Sequence, residues 1–146
     1  MSGGAAITAE DLHGTWLLRD YRFRFADGTE VPRCEGGSDG WLHYLPNGWM
    51  SAHLTARDRA GIGDDAAALS AEAARGALGT YLSYGGRWTL EGDRVRHEVG
   101  VCLRQDWVGR TLWRRARFDG ARLVLTAENS RFGAREGTAT LSWEKG

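Results

Sequence analysis

Between residues 94 and 118 apolar side chains recur at every second position, and each apolar row contains one ionisable group. In Arg94-Val95-Arg96-His97-Glu98-Val99-Gly100-Val101, an extended chain puts Val95, Val99 and Val101 on one face and Arg94, Arg96 and Glu98 on the other. His97 lies on the valine face. In residues 112–118 the same period groups Arg114 with Leu112, Ala116 and Phe118, while Arg115 and Arg117 face water. A barrel with a lined cavity explains both exceptions.

The rest of the chain repeats short extended segments broken by turns. Thr8-Ala9-Glu10-Asp11 fits a capping box with Thr8 as N-cap, opening about one helical turn before Gly14. Residues 14–23 form a strand in which both parities carry apolar residues, so alternation does not assign its faces or the direction of Asp20. Residues 31–38 read as a loop holding Pro32 and Cys34. Residues 40–45 and 49–54 make the clearest hairpin, joined by Pro46-Asn47-Gly48. Pro46 suits the first corner of a type I turn and Gly48 the left-handed position after it, which gives a three-residue loop. That register sets Tyr44 opposite Met50 and Leu42 opposite Ala52, with Trp41, His43, Trp49, Ser51 and His53 on the other face. A two-residue Asn-Gly loop would instead split His43 and His53 between faces.

Residues 57–65 form a polar loop, and Asp65 or Ser70 caps one helix over residues 70–83. Its Ala74, Leu78, Tyr81 and Leu82 recur at helical spacing and would pack on the barrel or close one end. Further strands are expected over 84–90, 94–104, 110–118, 122–128 and 138–144, with a loop around 129–137. Turn signals roughly every 8 to 12 residues point to an all-β, eight-stranded, up-and-down antiparallel barrel with one helix between its third and fourth strands. Such a barrel is nearly filled by its side chains or holds one small ligand.

At 146 residues, with 19 basic and 19 acidic side chains, the chain makes one domain over residues 1–146 and carries no global field to attract nucleic acid or an anionic membrane. Neither is expected as a partner. Met1-Ser2-Gly3-Gly4-Ala5-Ala6 has neither a basic region nor an apolar run of signal-peptide length, so a cytoplasmic protein is expected, with Cys34 and Cys102 as free thiols. Seven tryptophans and 21 glycines, about twice the usual ~7% share for glycine, are the composition of an all-β barrel or sandwich.

The pattern resembles the lipocalin-like domain family of small bacterial proteins over nearly the whole chain. The resemblance rests on Gly14-Thr15-Trp16, on residues 40–44 leading into Pro46-Asn47-Gly48-Trp49-Met50-Ser51, and on residues 81–86. Val95-Arg96-His97, Trp107-Val108-Gly109 with Arg114, and Leu141-Ser142-Trp143-Glu144 complete it. It implies a calyx-like barrel with the first-strand tryptophan near its closed end, often under a basic side chain, and a cavity for a small hydrophobic molecule. Related barrels include plain carriers and cofactor-free enzymes, among them cyclases and isomerases of specialised metabolism. Trp41, Trp49 and Trp88 stand where smaller residues are expected, which bears on cavity shape.

Candidate chemistry centres on His97, whose ordinary pKa of ~6.5 suits proton transfer near neutrality. The bland reading is a neutral imidazole satisfied by a hydrogen bond in the wall. Arg114 needs an acidic or electron-rich partner: a bound carboxylate or enolate, or, structurally, a stack on Trp16 with a pair to Asp20. An inward Asp20 would complete an Asp20, His97, Arg114 cluster. Tyr44, Tyr81 and Tyr84 can donate to a substrate carbonyl or serve as core residues. Trp16, Trp88 and Trp107 can stack a conjugated ligand, with Leu18 and Met50 completing an apolar lining. Gly61-Ile62-Gly63 lacks the strand a dinucleotide site requires, His43 and His53 lack a third metal ligand, and Cys102 falls on the face opposite His97. The expectation is a small hydrophobic or conjugated ligand handled with no cofactor and no metal, either by catalysis or by carriage alone. The Trp41, His43, Trp49, His53 face is open to a partner such as a second copy of the chain.

Overall fold

The computed structural model describes residues 6–146; of the leading stretch read above for a targeting signal, residues 1–5 lie outside them. Nine strands follow one another as β1 (Gly14–Phe25), β2 (Glu30–Pro32), β3 (Ser38–Tyr44), β4 (Trp49–Ala56), β5 (Tyr81–Glu91), β6 (Arg94–Cys102), β7 (Thr111–Asp119), β8 (Arg122–Phe132) and β9 (Arg135–Lys145). All pair antiparallel with sequence neighbours except at β1, which pairs β3 on one side and β9 on the other and so closes an eight-stranded barrel. The short β2 only adds to the far end of β1. No helix among the described residues is long and apolar enough to cross a membrane.

The mixed parity of residues 14–23 has a local cause. A bulge between Leu18 and Asp20 shifts β1 by one residue against β9, so Trp16 and Leu18 face inward before it and Tyr21, Phe23 and Phe25 after it. The same device acts in β6. Val99 pairs with Gly86 and Val101 with Gly85, which leaves Gly100 as the extra residue. Val101, expected inside, is thereby turned out and 70% exposed, and Cys102, expected outside, packs against the core.

The β3–β4 hairpin has the three-residue loop: Tyr44 faces Met50, Leu42 faces Ala52, and Gly48 is left-handed at φ 89°. Beyond β4 the helix is shorter than expected. Asp65 caps a single turn at Ala66–Ala68, and Ser70 caps α2 (Ala71–Gly79). Tyr81 and Leu82 belong to β5, opposite Thr55 and Leu54, because extended pairing with β4 satisfies their backbone groups. Having lost those two residues, α2 buries none of its own, and Leu78 stays exposed. The expected loop at 129–137 is instead a hairpin that extends β8 and β9 past a bulge at left-handed Asn129.

The barrel is packed at one end and hollow at the other. α1 (Ala9–Leu12), held by the Thr8–Asp11 capping box, plugs the packed end: Leu12 is fully buried, and the Trp16 Nε1–H donates to its carbonyl at 2.9 Å. The basic group over Trp16 is Lys145, with Nζ 4.7 Å from the ring centre, in place of the expected Arg114. Lys145 also donates to the His13 carbonyl.

Close backbone approach at the β6 bulge makes Gly86 irreplaceable. A Cβ there would lie 1.8 Å from the Glu98 carbonyl oxygen. Gly86→Ala is expected to destabilise the fold by roughly 3 kcal/mol or more. Gly76→Ala, in a helical position with nothing within 4 Å, should stabilise by about 0.5–1 kcal/mol. Urea unfolding of the two variants checks both signs.

Candidate functional site

Halfway along the barrel, three strands bring together an imidazole and two phenols. His97 on β6 is 1% exposed; its Nε2 lies 2.6 Å from the Tyr44 hydroxyl on β3 and its Nδ1 2.8 Å from the Tyr84 hydroxyl on β5. Burial, reinforced by the positive charge of Arg114, pushes the His97 pKa down to about 3. The ring is therefore neutral near pH 7 and carries a single N–H. One phenol must donate to it and the other must accept from it.

Satisfaction of buried groups decides the direction. Tyr44 is fully buried, its ring centre 4.6 Å from that of Trp88 with the planes tilted by 42°, and its hydroxyl meets no partner but His97 among the described residues. Were Nε2 to carry the proton, the Tyr44 O–H would be stranded at a cost of about 1–3 kcal/mol. The assignment that strands nothing has Tyr44 O–H donating to Nε2 and Nδ1–H donating to the Tyr84 oxygen. Tyr84 then keeps its own O–H for the cavity. Burial raises the pKa of both phenols, that of Tyr44 well above the ordinary value, while Arg114 pulls each the other way.

The cavity that Tyr84 and His97 border has a volume of about 820 Å³, within the range of small-molecule sites. Apolar side chains of β1, β3, β4, β8 and β9 form its floor and walls, and Trp107 sits near the mouth, its ring centre 6.2 Å from that of Tyr84. A second hollow of about 530 Å³, bordered by Tyr81, Cys34 and Arg104, shares Tyr21, Arg33, Leu82 and Trp107 with the first and forms its vestibule. A side opening exists too. β7 pairs with β8 only from Arg115 to Asp119, so residues 111–114 part from residues 127–131 and both edges border the cavity.

Arg114 points into this space from β7, where it pairs with Val95 and lies beside the Tyr84 hydroxyl. Its hydrogen bond goes to the Trp113 carbonyl at 3.1 Å, and no carboxylate meets it among the described residues. The Asp20, His97, Arg114 cluster does not form: the β1 bulge turns Asp20 to the surface, where it binds Arg22 at 3.1 Å. The stack on Trp16 is likewise taken by Lys145.

Of the other expected lining residues, Tyr84 and Trp107 border the main cavity and Tyr81 the vestibule. Trp16, Leu18, Met50 and Trp88 belong to the packed core, and the Trp88 N–H donates to the Leu45 carbonyl. Tyr44 stands behind His97. Sequence reasoning passed over Tyr21 and Arg33. The bulge carries Tyr21 inward, where burial raises its pKa against the opposing charges of Arg33 and Arg114. Arg33 sits just past β2 with no periodic signal around it; its backbone N–H donates to the Tyr21 carbonyl at 2.9 Å. Cys102, though inward, cannot reach His97's nitrogens, since both are occupied by phenols.

A family model described as a lipocalin-like domain matches residues 13–146. Among solved structures, the chain is similar to a lipocalin-like protein from Bacteroides uniformis, with 18% identity, 93% of this chain and 99% of that one covered, and a TM-score of 0.50. No curated protein matches the chain.

A buried neutral histidine makes stability depend on acid. The His97 pKa is about 3 folded and near its ordinary 6.5 unfolded, so the unfolded chain binds the extra proton between those values. Its contribution is present above pH 6.5 and is lost as pH falls toward 3, at about 1.4 kcal/mol per pH unit. His97→Gln, whose amide can accept from Tyr44 and donate to Tyr84, should flatten that acid limb by close to one proton. Urea unfolding between pH 4 and pH 7 measures the slope difference.

Proposed function

The chain belongs to the lipocalin-like domain family, and from the geometry of its cavity we propose that it binds one small, mostly apolar molecule and acts on it without a cofactor. The observation that carries this reading is the hydrogen-bonded chain Tyr44, His97, Tyr84, which in the direction assigned above aims a polarised O–H into the cavity beside the Arg114 guanidinium. A ligand carbonyl seated there would meet a hydroxyl donor and a fixed positive charge. Both stabilise negative charge that develops on the oxygen.

His97 is a positioning residue here. Its nitrogens are engaged by phenols, and it lends donor strength to Tyr84 through cooperative polarisation. Full proton delivery would leave a phenolate at Tyr44, which complete burial strongly disfavours. A base for proton abstraction is also lacking among the described lining residues: Glu128 is held by Arg115 at 3.4 Å. These facts favour a cyclase over a proton-shuttling isomerase. The cavity would fold a specialised-metabolism intermediate into a reactive shape while Tyr84 and Arg114 draw charge onto its carbonyl. The two free cysteines support a cytoplasmic setting. A second reading, a carrier without chemistry, is favoured by the dead end at Tyr44.

Tyr84→Phe should keep the fold and lower turnover by about a hundredfold, the usual effect of removing one such donor. Mass spectrometry of a small-molecule extract from host cells, incubated with wild type, with Tyr84→Phe and with no protein, tests this. A compound consumed into an isomer or dehydrated product only by wild type supports catalysis. A compound that co-purifies unchanged with both proteins leaves the carrier.

A further inference from the structure

The cavity's charged groups are unbalanced: six arginines border it against one carboxylate among the described residues. Arg33 and Arg114 are both half-buried at its border, and neither meets a carboxylate among the described residues. The guanidinium of Arg33 lies 5.1 Å over the Phe132 ring and beside the Tyr21 hydroxyl, a neutral partner that leaves its charge unpaired. The one carboxylate among the described lining residues, Glu128, is occupied by Arg115. Tyr84 has an O–H to give, by the argument above. Trp143 also borders the cavity; it is 2% exposed, and its indole N–H is buried without an acceptor among the described residues. A buried donor without an acceptor is costly, and a half-buried guanidinium held among apolar walls retains its charge.

A neutral carbonyl would accept from these donors and leave the guanidinium charges unpaired. A neutral apolar ligand would fill the volume and leave every donor idle. A basic ligand would be repelled. A group that only accepts hydrogen bonds and carries negative charge satisfies donors and arginines at once. Resting on the reading of this barrel as a ligand-binding one, we infer that its ligand is an apolar organic acid. Its single oxyanion, a carboxylate, sulfonate or enolate, is received by Arg114 and the Tyr84 hydroxyl and is the same oxygen-bearing group on which the proposed chemistry gathers charge, and Arg33 beside Tyr21 forms the positive rim through which it enters. The apolar body lies along Leu42, Ala52, Leu125 and Leu141. The parted edges of β7 and β8 give a long body a way out of the barrel, so ligand length is less restricted than cavity volume alone implies.

A matched pair of fluorescent probes tests the charge and the cavity separately. 8-Anilinonaphthalene-1-sulfonate and N-phenyl-1-naphthylamine share one apolar body, and only the first carries an oxyanion. In titrations of the full chain, both should bind, with the sulfonate tighter by about tenfold or more, as for a charge-assisted contact. Arg114→Met should weaken the sulfonate about tenfold and leave the neutral probe unchanged, and Arg114→Lys should recover part of the loss. Far-ultraviolet circular dichroism confirms that each variant is folded; should Arg114→Met not fold, Arg33→Gln carries the same expectation with a smaller loss, about threefold. Equal affinity of wild type for the two probes overturns the inference. So does a loss in Arg114→Met shared equally by both, which would make Arg114 a shape residue. Failure of folded wild type to bind either probe overturns the ligand-binding reading beneath it.

Discussion

One strand holds the barrel shut. The first residues of β1 pair with β3, and most of its length pairs with β9, so the seam lies along a single segment whose bulge lets it serve both neighbours. With strict alternation, a strand of this sequence would expose either Trp16 and Leu18 or Phe23 and Phe25. The extra residue at Arg19 lets all four face inward, and the added local twist bends the strand around the curve. Trp16, bonded to Leu12 below it and covered by Lys145, fixes the packed end of that seam.

Closure leaves open edges in the wall where β7 and β8 part, so an inward polar group elsewhere is answered from within the barrel or from its cavity. His97 and Arg114 face the same interior from neighbouring strands, and the answers differ because their charges differ. Imidazole can discharge itself; with its pKa near 3 it becomes a neutral link between two phenols and ties β3, β5 and β6 together. Guanidinium cannot. Arg114 is placed where the wall opens. Burial thus makes the histidine part of the scaffold and leaves the arginine and the Tyr84 hydroxyl as the groups that face a ligand.

Much of this was legible in the chain. The alternation of residues 94–99 and 112–118 put His97 and Arg114 inside, Pro46-Asn47-Gly48 set the register of β3 and β4, and the resemblance named the family. What stayed hidden lies almost wholly at bulges. A period-2 argument flips every side chain when one residue is added, which is why Asp20 and Tyr21 could not be assigned and Val101 and Cys102 were exchanged. Glycine at position 100 is the one local sign of such a shift in β6; nothing comparable marks Arg19. The helix ends at Gly79, short of its apolar spacing, for a related reason. Tyr81 and Leu82 continue a helical spacing, yet pairing with β4 satisfies their backbone and the helical face does not. That His97 lies between phenols was beyond any pattern, since Tyr44 stands 53 residues away in sequence.

The division of the barrel into a packed half and a hollow half gives the polar chain its direction. Tyr44 ends it in the packed half, fully buried against Trp88; Tyr84 ends it at the cavity. A relay that began in solvent could pass protons through, but one that begins at a sealed phenol can only strengthen its last donor. The proposed chemistry is correspondingly narrow: charge gathers on a ligand oxygen and disperses again, with no net proton drawn from the protein. The same restriction suits either proposed role, carrier or catalyst. A sealed relay with fixed donors holds an acceptor group firmly in either role, and what separates the two is whether the apolar walls hold the remainder of the ligand in a reactive shape.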